Sequence, residues 1–133
     1  VIEDALVAIL EADSAVAGMV DDRIYPNSLP QDTELPAIAY QGFARRRHKS
    51  HSGPSHLGER YFDVRCWGAN YTAASALAKA AGDALDCYEG TIAGEEVQVA
   101  LVTGGFDLDH EDPDNPDSRE ACVVVTVKFW HTE

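Results

Sequence analysis

An α+β fold, a mostly antiparallel β-sheet with two main helices packed on one face, is what three features of this chain predict together. Two segments carry apolar residues at a helical period, and several others alternate with a period of two. Those segments follow one another as helix, strands, helix, strands, with no internal repeat. The length, 133 residues, suits one domain with one core, so residues 1–133 are read as a single domain.

The first helix rests on Ile2, Ala5, Leu6, Ile9 and Leu10, which fall on one stripe while Glu3, Asp4 and Glu11 lie opposite. Asp13 or Ser14 is placed to cap a short second turn, 14-SAVAGMV-20, that carries Val16, Met19 and Val20 inward. Next, 23-RIYP-26 reads as a brief strand stopped by Pro26, and 27-NSLPQDTELP-36 as a surface connection. Residues 37-AIAYQGF-43 read as a strand. The run 57-LGERYFDVRCW-67 alternates, Phe62, Val64 and Cys66 on one face and Tyr61, Asp63 and Arg65 on the other. Between them, 44-ARRRHKSHSGPSH-56 becomes the long connection of an antiparallel hairpin with Gly53-Pro54 at its bend, a projecting loop. Asn70 or Thr72 caps a helix over 72–90 with the stripe Ala74, Leu77, Ala78, Ala81, Leu85 and Tyr88, and Gly90 is its expected stop. Strands at 96–102 and 121–130 follow, separated by an acidic loop at 107–120.

A sheet covered on one side should alternate apolar with polar residues. In the last strand Ala121, Val123, Val125, Val127 and Phe129 make one face, yet Cys122, Val124 and Trp130 populate the other. Either loops of the chain fold over that second face or a neighbouring copy of the same protein covers it.

The formal net charge is −13 and unevenly spread. Residues 41–60 hold five Lys/Arg against the single acid Glu59, and residues 107–120 hold seven acids against the single base Arg119. Overall acidity disfavours wrapping nucleic acid, since attraction to phosphate rests on Lys and Arg. No apolar run approaches the length of a membrane helix, and acids stand near the N-terminus where a secretory signal carries positive charge. A soluble protein of a cytosol is expected. Cys66, Cys87 and Cys122 are odd in number, lack a CxxC and sit in apolar patterns, so buried free thiols are expected.

Candidate chemistry is sparse. His48, His51 and His56 have ligand character, but they flank Ser-Gly-Pro without rigid support, and a solvated loop is the plainer reading, so no metal is assigned. The acidic stretch from Asp107 resembles a calcium loop only at its start, since Asp112 and Ser118 replace the Gly and Glu such a loop needs. No nucleophile elbow, zinc-protease motif or phosphate loop occurs, and no cofactor is implied. Asp63 and Arg65, beside Tyr61, read as a structural or interface ion pair. The run Arg45, Arg46, Arg47, Lys49 with His51 reads as a loop that docks on an acidic partner. Its alternative is a nucleic-acid-binding module using the basic 45–49 arm.

As a whole the chain resembles the tail completion, or tail terminator, proteins of long-tailed bacteriophages and gene transfer agents. The residues that carry this are 2-IEDALVAILEADSAVAGMV-20, 23-RIYP-26, Leu35-Pro36 before AIAYQ, 61-YFDVRCWG-68 leading into the alanine-rich helix, and 123-VVVTVKFWH-131. The resemblance implies a structural subunit, not an enzyme, assembled in the host bacterial cytoplasm and placed in the virion at the head–tail interface. It implies a ring, usually a hexamer, that ends tail-tube polymerisation and contacts the tail tube protein and the head–tail connector or stopper protein. DNA would pass through its channel without specific binding, and no membrane is involved. The loop between the second and third strands projects in such proteins, which corresponds here to 44–56. Tyr61, Asp63, Arg65, Val124 and Trp130 are the expected subunit-interface residues.

Overall fold

The computed structural model describes residues 2–30, 33–50, 53–112 and 115–132, with side chains described for 2–30, 33–45, 58–107 and 121–131. Two helices open the chain, α1 at Ile2–Ala12 and α2 at Ser14–Val20. Strands β1 (Ile24–Pro26), β2 (Ala37–Ser50) and β3 (Gly53–Gly68) follow, then helix α3 (Tyr71–Leu85) and strands β4 (Tyr88–Ile92), β5 (Glu95–Asp112) and β6 (Asn115–Thr132). The strands form one sheet in the order β1-β2-β3-β6-β5-β4, antiparallel throughout except for the short parallel pair β1–β2. The α+β architecture read from the sequence is the one present.

Capping follows local chemistry. The Asp13 carboxylate accepts from the Ala15 and Val16 amides at 3.0 and 3.1 Å, separating α1 from α2. Asn70, not Thr72, caps α3, its Oδ1 accepting from Ala73 N–H at 2.9 Å. The apolar stripe of α1 (Ile2, Ala5, Leu6, Ile9, Leu10) and that of α3 (Leu77, Ala78, Ala81, Leu85) share one buried cluster. Its floor is a single face of the sheet, formed by Ile38, Phe62, Val64, Cys66, Val125, Val127 and Phe129. Phe62 and Phe129 meet edge to face with centroids 5.7 Å apart, the arrangement their ring quadrupoles favour.

Three boundaries differ from the sequence reading. Helix α3 ends at Leu85 rather than near Gly90, because Cys87 turns left-handed (φ 62°) and the Asp86 carboxylate accepts the Val102 amide at 3.1 Å. Tyr88 still packs on the core, but from strand β4. A two-residue turn at Ala93 and Gly94, both with positive φ, joins β4 to β5. Of the stretch 44–56, expected as a loop, residues 44–50 and 53–56 are strand: Arg45 pairs with Arg60, Arg46 with Glu59, Arg47 with Gly58 and Lys49 with Pro54. The expected acidic loop is likewise paired strand up to Asp112↔Asn115. Among the cysteines, Cys66 and Cys122 are buried and free as expected, whereas Cys87 is exposed.

Candidate interaction surface

Side chains alternate across a strand, so the residues between those of the core floor point to the other face. Register gathers them in rows. Ala39, Arg65, Val124 and Phe106 form one row, Gln41, Asp63, Thr126 and Gly104 the next, and Tyr61, Lys128 and Leu101 a third. Glu59 and Trp130 are paired beyond it. All five expected interface residues, Tyr61, Asp63, Arg65, Val124 and Trp130, therefore share one face, away from the helices' buried cluster.

The chain covers the centre of this face itself. Val124 and Cys122 are 1% exposed and Ala39 likewise, so Val124 offers no contact area of its own. The flanks are bare: Phe43 on β2 is 55% exposed, and Leu101 and Phe106 on β5 are 36% and 50% exposed. Phe43 is the extra residue of a bulge between Gly42 and Ala44, and its ring lies 5.7 Å from that of Tyr61. None of these three was among the expected interface residues. Continuing the alternation of Ala37, Ala39 and Gln41 by one step would have found Phe43, but Phe106 follows a Gly-Gly pair that looked like a strand end.

A polar cluster sits between the bare flanks. Glu59 is 2% exposed; Tyr61 Oη donates to its Oε2 at 3.1 Å and Lys128 Nζ lies 3.5 Å from its Oε1. The same ammonium stands 4.4 Å above the Trp130 ring and 5.6 Å from that of Tyr61. Asp63 and Arg65 engage neighbouring strands instead of each other. Thr126 Oγ1 donates to Asp63 at 3.2 Å, and Arg65 Nη2 donates to Gln41 Oε1 at 3.1 Å. Burial pushes the Cys122 thiol up to about 11, against the opposing pull of the Arg65 charge. On the helix side, Arg60 ties the base of the hairpin to α1, donating to the Ala44 carbonyl at 3.0 Å and pairing with Glu3 at 3.4 Å.

Arg45 is exposed on β2. Arg46, Arg47 and Lys49 take their places in the β2–β3 ladder, but their side chains, and the whole of His51, lie outside the described residues. His48 and His56 have only their backbone described, so the ligand character weighed for the three histidines lies outside the described residues as well. Among the described residues, no group of His, Cys, Asp or Glu is placed to hold a metal ion, and no helix is long and apolar enough to cross a membrane. What the described residues of this surface offer is contact: bare aromatics around a polar centre of paired charges.

A family model described as tail completion protein gp17 matches residues 4–132 of the chain. Among solved structures, a chain from the "Virion of native gene transfer agent (GTA) particle" is similar over 100% of this chain and 98% of that one. The TM-score is 0.70 at 15% identity, which is a likeness of fold. No curated protein matches the sequence.

Proposed function

The chain belongs to the tail completion protein gp17 family, and on that premise we propose that copies of it, six in number, close into a ring at the head-proximal end of a phage tail. As a member of that family it is a structural protein of the virion tail and not an enzyme. The ring would end polymerisation of the tail tube and join the tail to the head connector.

The observation that carries this reading is the pair of bare apolar flanks, Phe43 on one side of the sheet face and Leu101 with Phe106 on the other. Different patches at opposite flanks make a contact in which one side of a subunit meets the other side of the next, the kind that closes rings. Tyr61, Asp63, Arg65 and Trp130 lie between the flanks and would border that contact, with Lys128 among them. A subunit of net charge −13 repeated around a channel would repel phosphate, letting DNA pass without adhering. Arg45, Arg46, Arg47, Lys49 and His51 would form the arm that meets an acidic partner surface.

Imaging of particles assembled without this protein tests the reading. Overlong tails or unjoined heads are expected, and particles of normal form would remove it. The run of bases at 45–49 also favours a second reading, a nucleic-acid-binding arm. That reading demands DNA affinity at moderate salt that falls steeply as salt rises; a titration without such binding excludes it.

A further inference from the structure

The strands outrun the sheet at two of its corners. β3 pairs with β6 only from Leu57↔Thr132 to Gly68↔Ala121. Past Leu57, β2 and β3 continue alone as a two-stranded ribbon to Ser50↔Gly53. Past Ala121, β5 and β6 continue alone through His110↔Glu120 and Glu111↔Arg119 to Asp112↔Asn115. Leu57 and Gly68 mark opposite ends of β3, so the two ribbons leave opposite ends of the sheet. The order β1-β2-β3-β6-β5-β4 also puts them toward opposite flanks.

Their outer edges share a second property. β1 pairs with β2 no further than Tyr40, and β4 with β5 no further than Ala100. Beyond those points, among the described residues, neither β2 nor β5 has a strand on its outer side. Long unpaired edges invite another strand unless charge or cover prevents it. Here the sequence gives the two ribbons opposite signs. Arg45, Arg46 and Arg47 stand on the bare-edged part of β2 that leads into the first ribbon and Lys49 on the ribbon itself, with no acid in 44–56; Asp107 and Asp109 stand on the bare-edged part of β5 that leads into the second, and Glu111 and Asp112 on that ribbon.

We propose that the basic ribbon of one subunit docks on the acidic ribbon of a second copy of this chain, which makes the neighbouring subunit the acidic partner of the arm. This rests on the ring reading and names the contact within it. A copy displaced along the strand direction brings ribbons of opposite charge together. A two-fold pairing flank to flank sets basic edge against basic edge or acidic against acidic, which repulsion disfavours. The charge pattern therefore selects the head-to-tail contact from which rings are built. It also accounts for two long charged ribbons in a sheet whose remaining strands stop at the edge of the core.

The test is charge exchange in assembling particles that lack the natural copy. One variant carries Arg45→Glu, Arg46→Glu, Arg47→Glu and Lys49→Glu; another carries Asp107→Lys, Asp109→Lys, Glu111→Lys and Asp112→Lys. Each alone is expected to lower the yield of joined particles about tenfold or more, and the two supplied together to restore it, since each then finds its complement. Loss with the first variant that the second does not rescue would assign the arm to a different acidic partner and overturn the proposal. Wild-type yield with either variant would overturn it while leaving the ring reading intact. Normal particles in the complete absence of the protein would remove both. Zero-length amine–carboxylate cross-linking of unmodified tails, built from mixed heavy and light protein, guards against variants that fail to fold. Lys49 is expected to join residues 107–112 of a differently labelled copy, and cross-links confined to other tail or head proteins would sink the proposal.

Discussion

The Lys128 ammonium lies 3.5 Å from a Glu59 carboxylate oxygen on the sheet face turned away from the helices' core. Glu59 is among the few charged residues that the fold buries, and it is held by Lys128 across the strand pair and by the Tyr61 hydroxyl beside it. Removing one member of such a pair leaves a desolvated charge with a poorer complement. Lys128→Met is expected to lower unfolding free energy by about 2 kcal/mol. The double variant Glu59→Gln/Lys128→Met should recover part of that loss, because the buried carboxylate charge is gone. Urea titrations of the three proteins check this, and equal stability of Lys128→Met and wild type would show the pair to be inert.

Surface and assembly separate at the flanks. Phe43 and Phe106 are at least half exposed, so Phe43→Ser with Phe106→Ser should change subunit stability by no more than about 0.5 kcal/mol. The same double change removes apolar contact area where the proposed ring closes, and the yield of joined particles should fall. Unchanged stability with unchanged joining would mean that these rings face solvent in the tail.

Much of this was legible in the chain, for physical reasons that differ by element. α1 and α3 bury the residues their stripes predict, since a helix has little choice once half its circumference is apolar. The α3 terminus was not legible. Asp86-Cys87-Tyr88 continues a helical pattern, and what breaks it is a long-range bond from the Val102 amide to Asp86. The strand ends were misread for the opposite reason. Edges with no outer strand, running on into two-stranded ribbons, show no clear alternation, so 44–50, 53–56, 107–112 and 115–120 look like loops while pairing as strands. The apolar second face was visible in Cys122, Val124 and Trp130, although the structure buries the first two within the subunit and bares Phe43 and Phe106 instead.

Two adjacent glycines on β5 give a sharper packing test. A Cβ built at Gly105 would overlap the Val124 carbonyl oxygen, a backbone atom of the neighbouring strand that cannot swing aside. A Cβ at Gly104 meets nothing within 4 Å. Gly105→Ala should therefore cost about 2 kcal/mol through strain in the β5–β6 pair, and Gly104→Ala should be neutral within about 0.5 kcal/mol or slightly stabilising. Thermal melts of the two variants decide it; equal melting temperatures would show that the strands part at no cost.

The thiols make stability depend on alkaline pH with a definite sign. Burial raises Cys122 from an ordinary value of 9.0 to about 11 and lifts Cys66 further, and Tyr40 is raised by burial and by Glu3 and Asp4. Each of these groups keeps its proton longer in the folded chain than in the unfolded one. The unfolded chain therefore sheds protons first, and stability falls as pH rises. The Cys122 contribution is complete below pH 9.0 and is lost as pH climbs through about 11. Urea midpoints should be level from neutrality to about pH 8.5 and then decline, and Cys122→Ala, though less stable from lost packing, should decline less steeply over that interval. The same burial governs reactivity. A maleimide at neutral pH should label Cys87, which is exposed, while Cys66 and Cys122 remain unmodified until denaturant is added. Prompt native labelling of Cys122 would contradict its 1% exposure and with it the covered centre of the second sheet face.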